Sequence, residues 1–157
     1  MMNAGFTHLL VATLALLLIV AAVIDWRTFK ISNRLNLTVA LLAAPFWVVS
    51  GTALWPDIPV HLAVAAGAFL LFALLFQLGM MGGGDVKLAA ALALWFPPMT
   101  YVKFIVFMSL AGGVLTLALL IAHRVRAKEG RPRIPYGVAI AAGALAILAE
   151  PYLNHFA

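Results

Sequence analysis

The stretch KLAAALALWFPP, residues 87–98, decides the fold. Its apolar run, 87–96, stops at Pro97 and Pro98, which no helix interior tolerates. Ten residues at a rise of ~1.5 Å each reach ~15 Å, about half of a bilayer's hydrocarbon core. Whether this run crosses a membrane fixes the side on which every later loop lies.

Five longer apolar runs surround it: 5–24, 37–55, 60–81, 99–122 and 136–156. Each comes close to the ~20 residues that a spanning helix needs. Hydrophobic residues make up 66% of the chain and charged residues 10%. A soluble domain is about 45–50% apolar and needs polar surface that this chain does not have. There is no cysteine, which excludes a disulfide framework and a cysteine-based zinc site. The first run has no basic residue before it, so it is expected to be a mature transmembrane helix and not a cleaved signal.

The loops settle the short run. Loop 25–36 carries Arg27, Lys30 and Arg34; loop 122–136 carries Arg124, Arg126, Lys128, Arg131 and Arg133. Basic loops stay in the cytoplasm. Both can do so only if the short run crosses. The expected fold is therefore all-α: a polytopic bundle of six transmembrane helices with a short fourth one, both termini outside, in one domain spanning 1–157. Lys87 joins the inner set, so nine of the ten Lys and Arg lie inside and Lys103 alone lies outside. Trp26 falls at the inner boundary, and Trp55 and Trp95 at the outer one, where indoles favour headgroups. Trp47, close to Pro45, marks a kink packed on its neighbours. The net charge of +5 belongs to these loops, whose natural partner is anionic lipid; no nucleic-acid partner is expected.

Five acids remain. Asp57, Glu129 and Glu150 read as solvated or interfacial. Asp25 ends the first run and Asp85 opens the fourth, at the same cytoplasmic boundary. A helix counted from Gly82 to Phe96 is ~22 Å long, so Asp85 sinks into a wet, protein-lined recess. An ionisable side chain at that depth points to function. Two carboxylates at one depth suit aspartyl hydrolysis: one activates water, and its protonated partner donates to the carbonyl under attack. Gly82, Gly83 and Gly84 leave room for a peptide strand and place Asp85 at a helix N-terminus. The plainer reading is that Asp85 caps its helix and Asp25 ends its own beside Arg27.

Three motifs resemble those of a known family. GGGDVKL (residues 82–88) is similar to the GxGDxK signature of the type IV prepilin peptidases, membrane aspartyl proteases of the GxGD kind. DWRTFKISNRLNL (25–37) resembles their first aspartate box, with Ser32 where Pro is usual. RIPYGVAIAAGAL (133–145) resembles the Pro-Tyr-Gly start of the last helix in the short Tad/Cpa-type members. The resemblance implies Asp25 and Asp85 as the catalytic pair, Gly82 and Gly84 as signature glycines and Lys87 as the signature lysine. It implies a prepilin substrate with a basic leader and an apolar helix, cleaved at the cytoplasmic face of the inner membrane. It also implies peptidase activity without N-methylation, since the paired cysteines of the bifunctional members are absent.

Asn33 could position the loop or meet substrate backbone; Asn36 reads first as a cap for the second helix. Lys87 could orient a peptide carbonyl or snorkel to headgroups. Pro135, Tyr136 and Gly137 open the last helix and are candidates to line the site. His8, His61, His123 and His155 lack metal-ligand spacing, so neither metal nor cofactor is expected. Two other functions compete: a small transporter or channel subunit, whose ion site would use the glycine break beside an acid, and a non-catalytic pilus or secretion assembly protein.

Overall fold

The computed structural model describes residues 4–125 and 134–153, and among them it has six helices and no strand. They are α1 (Ala4–Thr28), α2 (Asn33–Ser50), α3 (Asp57–Gln77), α4 (Gly83–Leu92), α5 (Pro98–Val125) and α6 (Tyr136–Leu153). Three are long and apolar enough to cross a membrane by length and composition: Gly5–Thr28, Asp57–Gln77 and Pro98–Val125. The apolar part of α6, Tyr136–Pro151, is shorter. Arg126, Lys128, Glu129, Arg131, Arg133, His155 and the end of the sixth run lie outside the described residues.

The short helix is the core. Asp85, Val86 and every residue from Leu88 to Leu92 are buried, as are Ala93, Trp95 and Phe96. α2, α3 and α6 pack around α4, while α1 bridges α2 and α6, and α5 lies along α6. α5 and α6 approach closely because Gly143 has no side chain: a Cβ there would stand 2.7 Å from the backbone nitrogen of Met108. Leu14 and Leu18 of α1, Phe104 of α5 and Ile140 of α6 are among the fully buried side chains.

The far end of α4 tightens and is then stopped by proline. The Ala93 N–H donates to Ala90 and Leu94 to Ala91, a three-residue step that leaves the Ala89 carbonyl without its usual donor. The Tyr101 hydroxyl fills that place at 2.9 Å. The carbonyl of Leu94 would look to residue 98, but Pro98 has no N–H; the Trp47 Nε1–H supplies the bond at 2.7 Å. Trp95 Nε1–H donates to the Val39 carbonyl at 2.9 Å. Trp47 thus packs on its neighbours as the sequence suggests. Trp95 does not face headgroups: it is 4% exposed, because the proline stop turns its ring back into the bundle against Phe46. Trp26 and Trp55 are exposed.

Helix ends differ from the apolar runs where local chemistry overrides hydropathy. α2 starts four residues before its run, because the Ser32 hydroxyl accepts the Leu35 N–H and caps it. It ends at Gly51, whose φ of 74° is left-handed. α1 runs one turn past its apolar stretch and carries Asp25 inside it. Its terminus is Phe29, with φ 54°, an uncommon conformation for a bulky residue.

Candidate active site

At the near end of α4 three chain segments meet. Asp25 is 3% exposed and Asp85 7%. The Gly137 N–H, in the first turn of α6, donates to Asp25 Oδ2 at 2.7 Å. The Gly82 N–H donates to Asp85 Oδ2 at 3.2 Å, so Asp85 reaches back from the third position of α4 as the acid of a capping box does. Each carboxylate therefore sits at a helix N-terminus, Asp25 at that of α6 and Asp85 at that of α4, where the positive end of the helix dipole favours an anion. The two charges repel each other across the site.

Ile31 joins the two halves. A Cβ on Gly84 would lie 2.7 Å from the Ile31 carbonyl oxygen, and one on Gly137 would lie 2.6 Å from Ile31 Cδ1 and 2.8 Å from Asp25 Oδ2. Both glycines are thus pressed against one buried residue, Gly84 of α4 against its backbone and Gly137 of α6 against its side chain. A Cβ on Gly82 would stand 2.8 Å from Asp85 Oδ2. Two of the three glycines, Gly82 and Gly84, mark places where a methyl group would strike the site.

Side-chain amides fasten α2 to the glycine segment. Asn36 Nδ2–H donates to the Gly84 carbonyl at 2.8 Å, while its own Oδ1 is buried without a partner. Its role is therefore different from the helix cap expected of it; Ser32 is the cap, and Asn36 lies one turn inside α2 facing α4. Lys87 Nζ donates to Asn33 Oδ1 at 2.8 Å on the exposed side. Two residues turn a helix by about 200°, so Lys87 leaves α4 on the side away from Asp85. Pro135 is buried just before α6, and its carbonyl accepts the Val138 N–H at 3.2 Å. Tyr136 follows, half-buried. The Ser32 departure from the usual Pro leaves the loop shape intact: its φ of −72° and ψ of 146° are values that proline also adopts.

The chain matches the sequence profile of the type IV leader peptidase family over residues 12–117, well over half its length. It belongs to that family. Its members are prepilin leader peptidases, aspartic-type endopeptidases of the membrane, and this chain is accordingly a multi-pass membrane peptidase whose substrate is a prepilin. No curated protein and no solved structure matches it. Both aspartates, Asn33, Asn36 and the glycine segment fall within the matched residues; Pro135, Tyr136 and Gly137 lie beyond them.

Sequence reasoning missed Ile31. The signal was an apolar residue in a loop whose neighbours Thr28, Phe29, Lys30 and Ser32 are all exposed. A cavity of about 630 Å³ lies at the other end of the bundle between Thr7, Trp95 and Ile147, away from the carboxylates.

Proposed function

We propose that Asp25 and Asp85 form the catalytic pair of a leader peptidase of the short Tad/Cpa type, which removes the basic leader of a Flp-type prepilin at the cytoplasmic face of the inner membrane. The observation that carries this is the convergence of the Asp25 loop, the GGGD segment and the start of α6 on Ile31. A carboxylate accepts at about four lone-pair sites, so the N–H from Gly137 or Gly82 leaves each aspartate free to meet water or substrate.

In the reaction one carboxylate takes a proton from water as the water oxygen attacks the scissile carbonyl carbon. The other, protonated, donates to the carbonyl oxygen. Collapse of the tetrahedral intermediate breaks the C–N bond and passes a proton to the leaving nitrogen, giving a free amine on the pilin and a new carboxylate on the leader. Gly82, Gly84, Lys87, Asn33, Pro135, Tyr136 and Gly137 shape the site around the pair. The product is not N-methylated.

Six crossings with both termini outside fit the alternation of helix ends. The end of α1 and the starts of α2, α4 and α6 share the carboxylate level. The ends of α4 and α6 meet α5's first turns at the other, where Lys103 pairs with Glu150 at 3.1 Å and Trp47, near the end of α2, reaches the Leu94 carbonyl.

Purified protein is expected to shorten a Flp-type prepilin by its leader. Liposomes that pass ions in an Asp85-dependent way with no proteolysis would replace this reading with the transporter. In this cysteine-free chain, an impermeant thiol reagent added outside cells should label an Ala53→Cys variant and spare a Ser32→Cys variant; the reverse pattern would turn the topology over.

A further inference from the structure

α3 packs on α4 and α5 packs on α6, and α3 and α5 touch each other only briefly. Between them lies a cleft of about 460 Å³. Among the described residues, no Asp, Glu, Lys or Arg lines it. It lies at the carboxylate end. One lip is Met80 and Met81, directly before Gly82, whose N–H holds Asp85. The other is Tyr136, directly before Gly137, whose N–H holds Asp25. The cleft therefore abuts the two segments whose N–H groups hold the carboxylates.

Its α5 wall is unusual. The missing side chain of Gly112 faces Ala139, with 3.6 Å for a Cβ, which is ordinary helix packing. A Cβ on Gly113 would meet nothing within 4 Å. Nothing in the chain's own packing needs a glycine at 113, and glycine in a helix interior costs about 1 kcal/mol relative to alanine. Its effect is to keep the cleft wide. Met80 and Met81 supply unbranched, adaptable side chains to the opposite lip, and Met108 adds one to the α5 wall.

We infer that this cleft seats the apolar helix of the prepilin substrate, entering sideways from the bilayer between α3 and α5, so that the residues just before that helix lie across Asp25 and Asp85. An uncharged wall at membrane depth takes an apolar segment and rejects a basic leader, which leaves the leader on the cytoplasmic side of the carboxylates. The absent side chain at 113 gives a helix room for close approach. This rests on the proposed catalytic pair but fails separately from it.

The test is a Gly113→Leu variant, which fills the cleft from a position where an added Cβ meets nothing within 4 Å. Gly67→Leu on α3 is the control, because its Cβ also meets nothing within 4 Å and it does not line the cleft. With full-length prepilin in detergent or liposomes, Gly113→Leu should lower kcat/KM by about tenfold or more, mainly through KM, the scale of a filled apolar site. Gly67→Leu should behave as wild type. A photoreactive phenylalanine analogue at Leu117, in the Asp85→Asn background, should cross-link to the apolar helix of the prepilin. Wild-type kcat/KM in Gly113→Leu, an equal loss in Gly67→Leu, or cross-links to the leader in place of the helix would each overturn the docking site while leaving the peptidase intact. If wild-type protein cleaves no prepilin, the functional reading itself falls.

Discussion

The two ends of α4 are built on opposite plans. At the far end every exceptional carbonyl is met: Ala89 by the Tyr101 hydroxyl, Leu94 by the Trp47 indole. Three large aromatic side chains close that end and cement α2 and α5 to α4. At the near end the side chains are small, the contacts are backbone to glycine, and buried acceptors keep spare capacity, from the carboxylates of Asp25 and Asp85 to the unpartnered Oδ1 of Asn36. One end is saturated; the other is shaped and left partly unsatisfied. Buried polar groups cost stability unless paired, so their concentration at one end is the mark of a site.

That contrast can be broken most severely at the glycines. Gly84→Ala should abolish most cleavage and destabilise the fold by about 1–3 kcal/mol, the scale of overpacking, because its Cβ strikes the backbone oxygen of Ile31, which cannot step aside. Gly137→Ala strikes a movable atom, Ile31 Cδ1. Adding Ile31→Val removes that atom, so it should restore part of the lost activity and melting temperature to Gly137→Ala and none to Gly84→Ala. Thermal melts and prepilin cleavage on the four variants decide the matter; equal rescue of both would mean that Ile31 is not the wedge between them.

The next test separates the ends by readout. Asn36→Leu removes the donor to the Gly84 carbonyl and should lower kcat more than tenfold, with a loss of about 1–3 kcal/mol for the orphaned carbonyl. Tyr101→Phe at the saturated end should cost about 1 kcal/mol of stability and leave kcat within twofold of wild type at a temperature where both are folded. If Tyr101→Phe loses activity as Asn36→Leu does, the two ends are not functionally distinct.

How much of this was legible beforehand depends on the scale of the signal. The all-helical membrane fold, the short fourth helix and the two sunken acids, Asp25 and Asp85, were readable, because apolar runs, basic loops and five acids are long-range signals in a greasy chain. The α2 start after Ser32 was not, since one hydroxyl outweighed the hydropathy of three polar residues, Asn33, Arg34 and Asn36. Trp95 was misread because hydropathy gives the depth of an indole and not its direction; the turn before Pro97 supplies that. Asn36 was readable as polar and near the loop, but its partner, Gly84, is 48 residues away and emerges only when α2 lies on α4. Ile31 was hidden for the same reason: its meaning lies in two glycines, on α4 and on α6.

The smallest effect concerns the turn that delivers Ile31. Phe29 holds φ 54° and is largely exposed. Phe29→Gly should relieve left-handed strain and raise stability by up to about 1 kcal/mol with cleavage unchanged; a fall in melting temperature would show that the ring contributes more than its backbone costs.

The central claim is that Asp25 and Asp85 act as one unit. The most direct test is the rate of prepilin cleavage by wild type, Asp25→Asn, Asp85→Asn and the double variant, each confirmed folded by thermal melting. Each single change should lower kcat by at least about a hundredfold, and the double variant should be no slower than the worse single one, as groups acting together behave. Full cleavage by either single variant, or losses that multiply in the double one, would contradict the pair.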